Sequence, residues 1–311
     1  MRVTGNYFSN AMITQLNVLT ARQYKLQNQV ATGQKISAPE DDPTAVQRTL
    51  GLRAQKAELA QFADNLAVLQ ERAGAAFDAL KALKSISDRA GEIATLADGT
   101  RSPRELKTYG NEVTQLIAQA AQLVNGKYRE SFLFGGTASG QAPFTVATDA
   151  NGAVTGVTYN GNAAVAETEI EHGVTLSVDV PGANTTGTGA RGLLTDSRSG
   201  ADFFSHLISL QNNLLSGNTA AIASTDRAAL AQDEENLIYH LGGNGAVQTR
   251  LETAASLADS QTQSMSQMIS DEVDADLPET IVQLTQAQTA YQAALQSGAG
   301  ILRMSLMDYL R

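Results

Sequence analysis

Residues 59–97 read LAQFADNLAVLQERAGAAFDALKALKSISDRAGEIATLA, and their spacing decides the fold class. Small or apolar side chains recur in alternating steps of three and four residues without a slip, which is the heptad pattern of a helix packed against other helices. The positions are Leu59, Phe62, Leu66, Leu69, Ala73, Ala76, Leu80, Leu83, Ser87, Ala90, Ala94 and Ala97. The pattern predicts one long helix from Pro43 to Asp98, which would be roughly 80 Å long.

Helix start and stop residues flank this stretch. Asp42 is a good N-cap, and Pro43 suits the first helical position. Upstream, Gly33 is expected to end an N-terminal helix because it adopts the left-handed conformation easily. Downstream, Ser102 and Glu105 have the spacing of a capping box, which predicts the start of a further helix.

Both ends of the chain carry the heptad spacing as well. The N-terminal stripe is Met12, Leu16, Leu19, Gln23, Leu26 and Val30. The C-terminal stripe is Leu277, Ile281, Leu284, Gln288, Tyr291, Leu295, Gly298, Leu302, Leu306 and Tyr309, with a slip near its end. From these stripes we predict an assembly interface made of Leu16, Leu19, Leu26, Val30, Ile281, Leu284, Tyr291, Leu295, Leu302 and Leu306.

The terminal stripes are thin, since Ala, Gln, Ser and Thr are frequent in both arms. Apolar burial contributes about 25 cal/mol per Å², whereas ordering a residue costs about 1–2 kcal/mol. A two-helix pair of this kind therefore gains little on its own. We expect the ends to be weakly ordered in the monomer and to gain stability by packing against other subunits.

The composition changes between the helical arms. Residues 135–200 hold 12 of the 26 glycines and short Val/Thr/Tyr runs. Runs at 144–146, 157–159 and 174–178 read as strands, and Asn-Gly pairs at 151–152 and 160–161 read as hairpin turns. Helical patterning resumes near residue 200, with breaks expected at the glycine-rich 216–218 and 242–245.

These patterns predict an α+β, mainly α fold in which long antiparallel heptad helices from both chain ends carry an inserted small β-rich domain. The expected divisions are 1–42 as the N-terminal assembly helix and loop, 43–134 as long rod helices, 135–200 as the β-rich outer domain, 201–276 as returning rod helices and 277–311 as the C-terminal assembly helix.

The composition also excludes several classes of protein. The chain has 311 residues, no Cys, a net charge of −10 and a pI near 4.8. Disulfides and thiolate sites are excluded, and an acidic chain is a poor nucleic-acid binder. No stretch reaches about 18 apolar residues, so we expect no transmembrane helix, and the first residues lack the apolar segment of a cleaved signal peptide.

The net charge differs along the chain: +3 over 1–134 (16 basic, 13 acidic), −4 over 135–200 (2 and 6) and −9 over 201–311 (4 and 13). The opposite signs of the two ends favour pairing of the N-terminal arm with the C-terminal arm over pairing of like arms, although salt screens the effect.

No residue pattern in the sequence indicates a catalytic or cofactor-binding site. His172, His206 and His240 share no metal-ligand spacing, and we interpret them as solvated or core side chains. The Gly pairs at 135–136 and 242–243 lack the preceding strand, following helix and Lys of a phosphate-binding loop.

We also interpret the acidic runs as structural features, not as metal or catalytic sites. Residues 271–276 lack the glycine and the terminal glutamate of an EF-hand, so a solvated helix connector is the better reading. Residues 40–42 read as loop and helix cap rather than as paired catalytic carboxylates. Tyr7 and Phe8 are assigned to partner contact rather than to membrane contact. We expect no enzymatic activity, no cofactor and no bound metal.

Several motifs, taken in order, resemble flagellin-like proteins. They are 31–36 (ATGQKI), 41–45 (DDPTA), 125–128 (NGKY), 132–137 (FLFGGT), 143–144 (PF), 159–161 (YNG), 274–276 (DAD) and 305–310 (SLMDYL). The Asp-Asp-Pro form resembles the hook-filament junction branch of that family, hook-associated protein 3, more than flagellin itself. The resemblance covers most of 1–145 and 245–311, and 146–240 only in composition.

The resemblance implies a structural part of the bacterial flagellum that joins hook to filament. It implies export through the flagellar type III channel without a cleaved signal peptide, an extracellular location, and a β domain that points outward. The implied partners are other copies in a ring or helical assembly, the neighbouring junction protein on the hook side and on the filament side (or flagellin), and an export chaperone, with no nucleic acid and no membrane. The alternatives are flagellin, the filament subunit itself, and a non-flagellar helical tether or an enzyme.

Overall fold

The computed structural model describes the backbone of residues 3–150, 152 and 154–309, and the side chains of residues 10–150, 152 and 154–300. The long helices are α1 (Val3–Thr32), α2 (Pro43–Leu96), α3 (Pro103–Val124), α4 (Phe203–Ser216), α6 (Arg227–Val273) and α7 (Leu277–Tyr309). A short α5 (Thr219–Ala221) and a π-helix (Ile222–Asp226) precede α6. The predicted mainly α fold with a small β-rich insertion is confirmed.

The chain forms two compact units. The terminal unit comprises residues 1–59 and 260–311, and the central unit comprises residues 60–259. Two helices, α2 and α6, run from one unit into the other.

The heptad positions of α2 form a large part of the central unit's core. All of them from Phe62 to Ala97 are buried, and only Leu59 is partly exposed. The apolar positions from Ala76 onward share a cluster with one face of α3, which includes Val113 and Ile117, and with α4. Leu66, Leu69 and Ala73 belong to a second cluster, which includes Leu251 of α6. The long-helix prediction is therefore confirmed, with an end at Leu96 rather than Asp98.

The predicted helix ends are confirmed by hydrogen bonds. Asp42 Oδ1 accepts from the backbone N–H groups of Thr44 and Ala45, both at 3.0 Å. Ser102 Oγ accepts from the N–H of Glu105, whose carboxylate accepts from the Ser102 N–H, and this completes the capping box. Both arrangements satisfy amide groups that have no partner inside the helix.

The described residues form four small, separate sheets. The strands are β1 (Lys127–Tyr128), β2 (Ser131–Phe132), β3 (Phe144–Thr148), β4 (Val154–Tyr159), β5 (Thr168–Glu171), β6 (Val174–Leu176), β7 (Ala183–Asn184), β8 (Thr195–Asp196) and β9 (Ala201–Asp202). The pairs β1–β2, β3–β4 and β5–β6 are antiparallel hairpins, and β8 lies between a parallel β7 and an antiparallel β9. Two of the predicted strands, at 144–146 and 157–159, form the longest hairpin.

One predicted hairpin turn is wrong. Residues 160–161 follow β4, but β4 pairs only with β3 among the described strands. A Cβ on Gly161 would lie 2.7 Å from the carbonyl oxygen of Gly135, so close backbone approach explains the glycine. Of the other predicted turn, 151–152, Asn151 lies outside the described residues.

The expected glycine break in the returning helices is also wrong. Helix α6 continues through 242–245, although each glycine costs about 1 kcal/mol relative to Ala. Buried side chains hold this stretch: Leu237 is in the core, and Asn244 Nδ2 donates to the carbonyl of Ala73 at 3.2 Å. Packing therefore outweighs local propensity here.

Candidate assembly surface of the terminal unit

Helices α1 and α7 pack against each other in antiparallel directions. A backbone bridge joins Gln34 to Asp274 near one end of the pair, and Gly298 meets Met12 toward the other end. A Cβ on Gly298 would lie 2.6 Å from Met12 Sδ and closer still to Met12 Cε. The absence of a side chain at 298 therefore leaves room for the end of the Met12 side chain.

The residues of the predicted interface on α1 face α7 to different extents. Leu26 is buried, and Leu16, Leu19 and Val30 are partly buried. These positions follow the heptad spacing of the sequence, so the structure brings the N-terminal members of the set to one face.

The C-terminal members of the predicted set divide between two faces. Leu284 and Tyr291 turn inward and are partly buried. Ile281 and Leu295 point outward, with exposed fractions of 50% and 43%. The side chains of Leu302 and Leu306, like those of Tyr7 and Phe8, lie outside the described residues.

Helix α7 therefore carries two apolar stripes. The inward stripe also contains small residues that the sequence pattern did not single out, and consists of Leu284, Ala287, Tyr291, Ala294 and Gly298. The second, which we call the outer stripe, consists of Leu277, Ile281 and Leu295. Seven-residue steps connect Ile281 through Gln288 to Leu295, so these side chains share one flank of the helix.

Helix α1 also exposes large apolar side chains. Ile13, Val18 and Tyr24 are each more than half exposed. Ile13 and Tyr24 are eleven residues apart, which places them on the same side of a helix. Each helix of the pair therefore has apolar surface that its partner does not cover.

The loop between α1 and α2 is fixed by one carboxylate. Asp41 accepts hydrogen bonds from Lys25 Nζ at 2.8 Å and from the backbone N–H groups of Ser37 and Ala38 at 3.1 and 3.2 Å. The Lys25 hydrogen bond, followed by those two amides, lowers the pKa of Asp41 to about 2. The loop therefore holds a carboxylate that stays ionised far below neutral pH.

Two further contacts join the α1–α2 loop and the start of α2 to the end of α6. Lys35 Nζ donates to the carbonyl oxygen of Asp271 at 2.7 Å, and Arg48 makes a two-pronged ion pair with Glu272 at 3.0 and 3.1 Å. The sequence pattern does not indicate these pairs, because their members lie more than 200 positions apart. Among the acidic residues of 271–276, Glu272 is thus part of an ion pair rather than simply solvated.

The histidines make structural contacts in the central unit. His206 Nδ1 and Asp233 Oδ2 are 2.8 Å apart, and this hydrogen bond raises the pKa of His206, while burial raises the pKa of Asp233. His240 Nε2 lies 3.1 Å from the Gly192 carbonyl oxygen, and burial lowers its pKa. His172 lies in the turn between β5 and β6.

Among the described residues, no group of three or more His, Cys, Asp or Glu side chains is arranged so that it could hold a metal ion. The helices in the described part of the chain include none long and apolar enough to cross a bilayer.

Residues 3–139 match the family described as bacterial flagellin N-terminal helical region. The resemblance inferred from the sequence motifs is confirmed over this segment. None of the curated proteins matches the chain.

Solved structures of flagellar hook-associated proteins share the fold. A protein of Vibrio parahaemolyticus described as a flagellar hook-associated protein is 18% identical with a TM-score of 0.63, covering 75% of this chain and 100% of its own. FlgL of Bacillus cereus is 16% identical with a TM-score of 0.56, covering 71% and 99%. FlgL of Xanthomonas campestris is 19% identical with a TM-score of 0.56, covering 70% and 99%.

Proposed function

We propose that this chain is a structural subunit of the bacterial flagellum, an adaptor between hook and filament that polymerises through its N- and C-terminal helices. The observation that carries the proposal is the outer stripe of α7. A helix that already packs one apolar face on α1 has a second apolar face that stays exposed among the described side chains. A helix with two such faces suits layered packing in which each helix contacts several others.

The chemistry of the chain supports a structural role over catalysis. The titratable groups with shifted pKa values are held by ion pairs, caps and buried hydrogen bonds, such as Asp41 with Lys25 and His206 with Asp233. We infer that the protein is not an enzyme and needs no cofactor.

The proposed partners are further copies of the chain, in a ring or helical assembly, and the flagellar proteins on its hook and filament sides. The +3 charge of the N-terminal part and the −9 charge of the C-terminal part favour contacts between unlike arms. The proposal includes export as an unfolded chain with the help of a chaperone and a final extracellular position. A chain without Cys suits such a path, because no disulfide has to be avoided before export.

Flagellin is the main alternative, since a filament subunit would share helical ends and the match over residues 3–139. The experiment that separates the two is deletion of the gene followed by microscopy and analysis of the medium. Loss of a junction protein leaves hooks without filaments and releases flagellin monomers into the medium. Loss of the sole flagellin leaves bare hooks with no flagellin released, and that result would contradict the junction role.

A further inference from the structure

A small crevice lies between the loop that follows α1, the first turns of α2 and Val273 at the end of α6. Its volume is about 180 Å³, and its lining is mixed: Ile36, Pro39, Val46, Leu50 and Val273 are apolar, and Gln34, Ser37 and Thr49 are polar. Leu50 is 60% exposed although it borders other apolar side chains. We call this feature the loop crevice; its size suits one or two aliphatic side chains.

A basic residue stands at the rim of the loop crevice. Arg53 lines it one turn beyond Leu50. Arg48, on the preceding turn, is engaged by Glu272, but Arg53 has no ion pair among the described side chains. The crevice therefore offers an apolar floor and one unpaired positive charge, which together suit an apolar side chain flanked by a carboxylate.

The start of α7 has the complementary character. Leu277 and Ile281 are one helical turn apart and are 41% and 50% exposed. The two preceding acidic residues, Asp274 and Asp276, have no ion pair among the described side chains; Asp276 accepts the Glu279 N–H as the helix cap. We call Leu277 and Ile281 with these two carboxylates the α7 patch.

We propose that the α7 patch of one copy docks into the loop crevice of a second copy. This inference rests on the proposed function, because it requires that copies of the chain associate with each other. It names the two surfaces that come into contact. Leu50 on one side and Ile281 on the other are exposed apolar side chains, and Arg53 faces Asp274 or Asp276 across the contact. Each copy carries one crevice and one patch, so a contact that the two copies do not reciprocate is heterologous and can continue from copy to copy around a ring.

Cysteine cross-linking of full-length protein tests this contact, because the chain has no Cys of its own. One preparation carries Leu50→Cys and the other carries Ile281→Cys. The two proteins are mixed at a concentration at which the unmodified chain sediments as oligomers, and the mixture is then oxidised. The expected product is a disulfide-linked dimer that contains one copy of each variant. Val282→Cys is the matched control, because Val282 is equally exposed but lies about 100° farther round the helix.

The outcomes separate the inference from the proposed function. A 50–281 dimer that forms at least several-fold faster than the 50–282 dimer supports the docking. Oligomers that form normally but give no preferential 50–281 dimer overturn it and leave the proposed function intact. A chain that never associates, alone or mixed, contradicts both.

Charge reversal gives a second, independent measurement. Arg53→Glu and Asp274→Lys, each alone, should weaken self-association at least ten-fold, and the double variant should recover most of it at low salt, while circular dichroism confirms that all three fold. Failure of the double variant to recover, with both single variants impaired, would show that these two side chains do not face each other.

Discussion

Leu295→Asp tests whether the outer stripe of α7 is an assembly surface. Leu295 is 43% exposed in the isolated chain, so part of its side chain still has apolar surface to bury against a neighbour. Complete burial of a Leu contributes about 1.5–3 kcal/mol, and the exposed part therefore accounts for about 1 kcal/mol of association. A carboxylate enclosed at the same place adds a penalty of several kcal/mol.

The sum, about 3–4 kcal/mol per contact, corresponds to association that is roughly 100- to 1000-fold weaker. Sedimentation velocity over a range of protein concentrations measures this change directly. Thermal unfolding of the central unit should be unchanged, because Leu295 belongs to the terminal unit.

Ser297→Asp is the matched control for that variant. It adds the same charge two residues farther along the helix. Ser297 is exposed and lies about 200° round the helix from Leu295, so it points away from the outer stripe. The control should associate within a few-fold of the unmodified chain. Normal association by Leu295→Asp, or equal loss in both variants, would refute the assignment of the outer stripe.

Three further changes test the account at other levels. Gly298→Val should weaken the α1–α7 pair by about 1–3 kcal/mol through overpacking, and Met12→Ala in the same chain should relieve part of the loss, as read from amide exchange of α7. Ser102→Ala should destabilise the central unit by about 1 kcal/mol in urea unfolding, because α3 loses its cap. His206 has a raised pKa, so its stabilising contribution is complete below pH 6.5 and is lost as the pH rises through the higher folded value; His206→Gln should flatten that decline in stability.

Local signals in the sequence predicted the helix ends well. Asp42 and Ser102 act through amides two or three residues away, so their roles can be read without knowledge of the fold. The long repeat in α2 was equally informative, because every heptad position from Phe62 onward is buried.

Features that depend on distant contacts were not predictable. The heptad pattern of α7 could not show which of two neighbouring stripes faces α1. The inward stripe includes a glycine at 298, where the Met12 side chain approaches closely. The ion pair between Arg48 and Glu272 and the glycine at 161 likewise depend on neighbours that the local sequence does not specify. The predicted assembly role of Ile281 and Leu295 stays a prediction.

Hydrogen exchange followed by mass spectrometry, on the dilute monomer and on the assembled protein, tests the central claim most directly. If the terminal helices become ordered through neighbours, amides of α1 and α7 exchange quickly in the monomer and slowly after assembly, while α3 and α4 in the central core are protected in both states. Equal protection of α1, α7 and the central core in the dilute monomer, with no change on assembly, would contradict the claim.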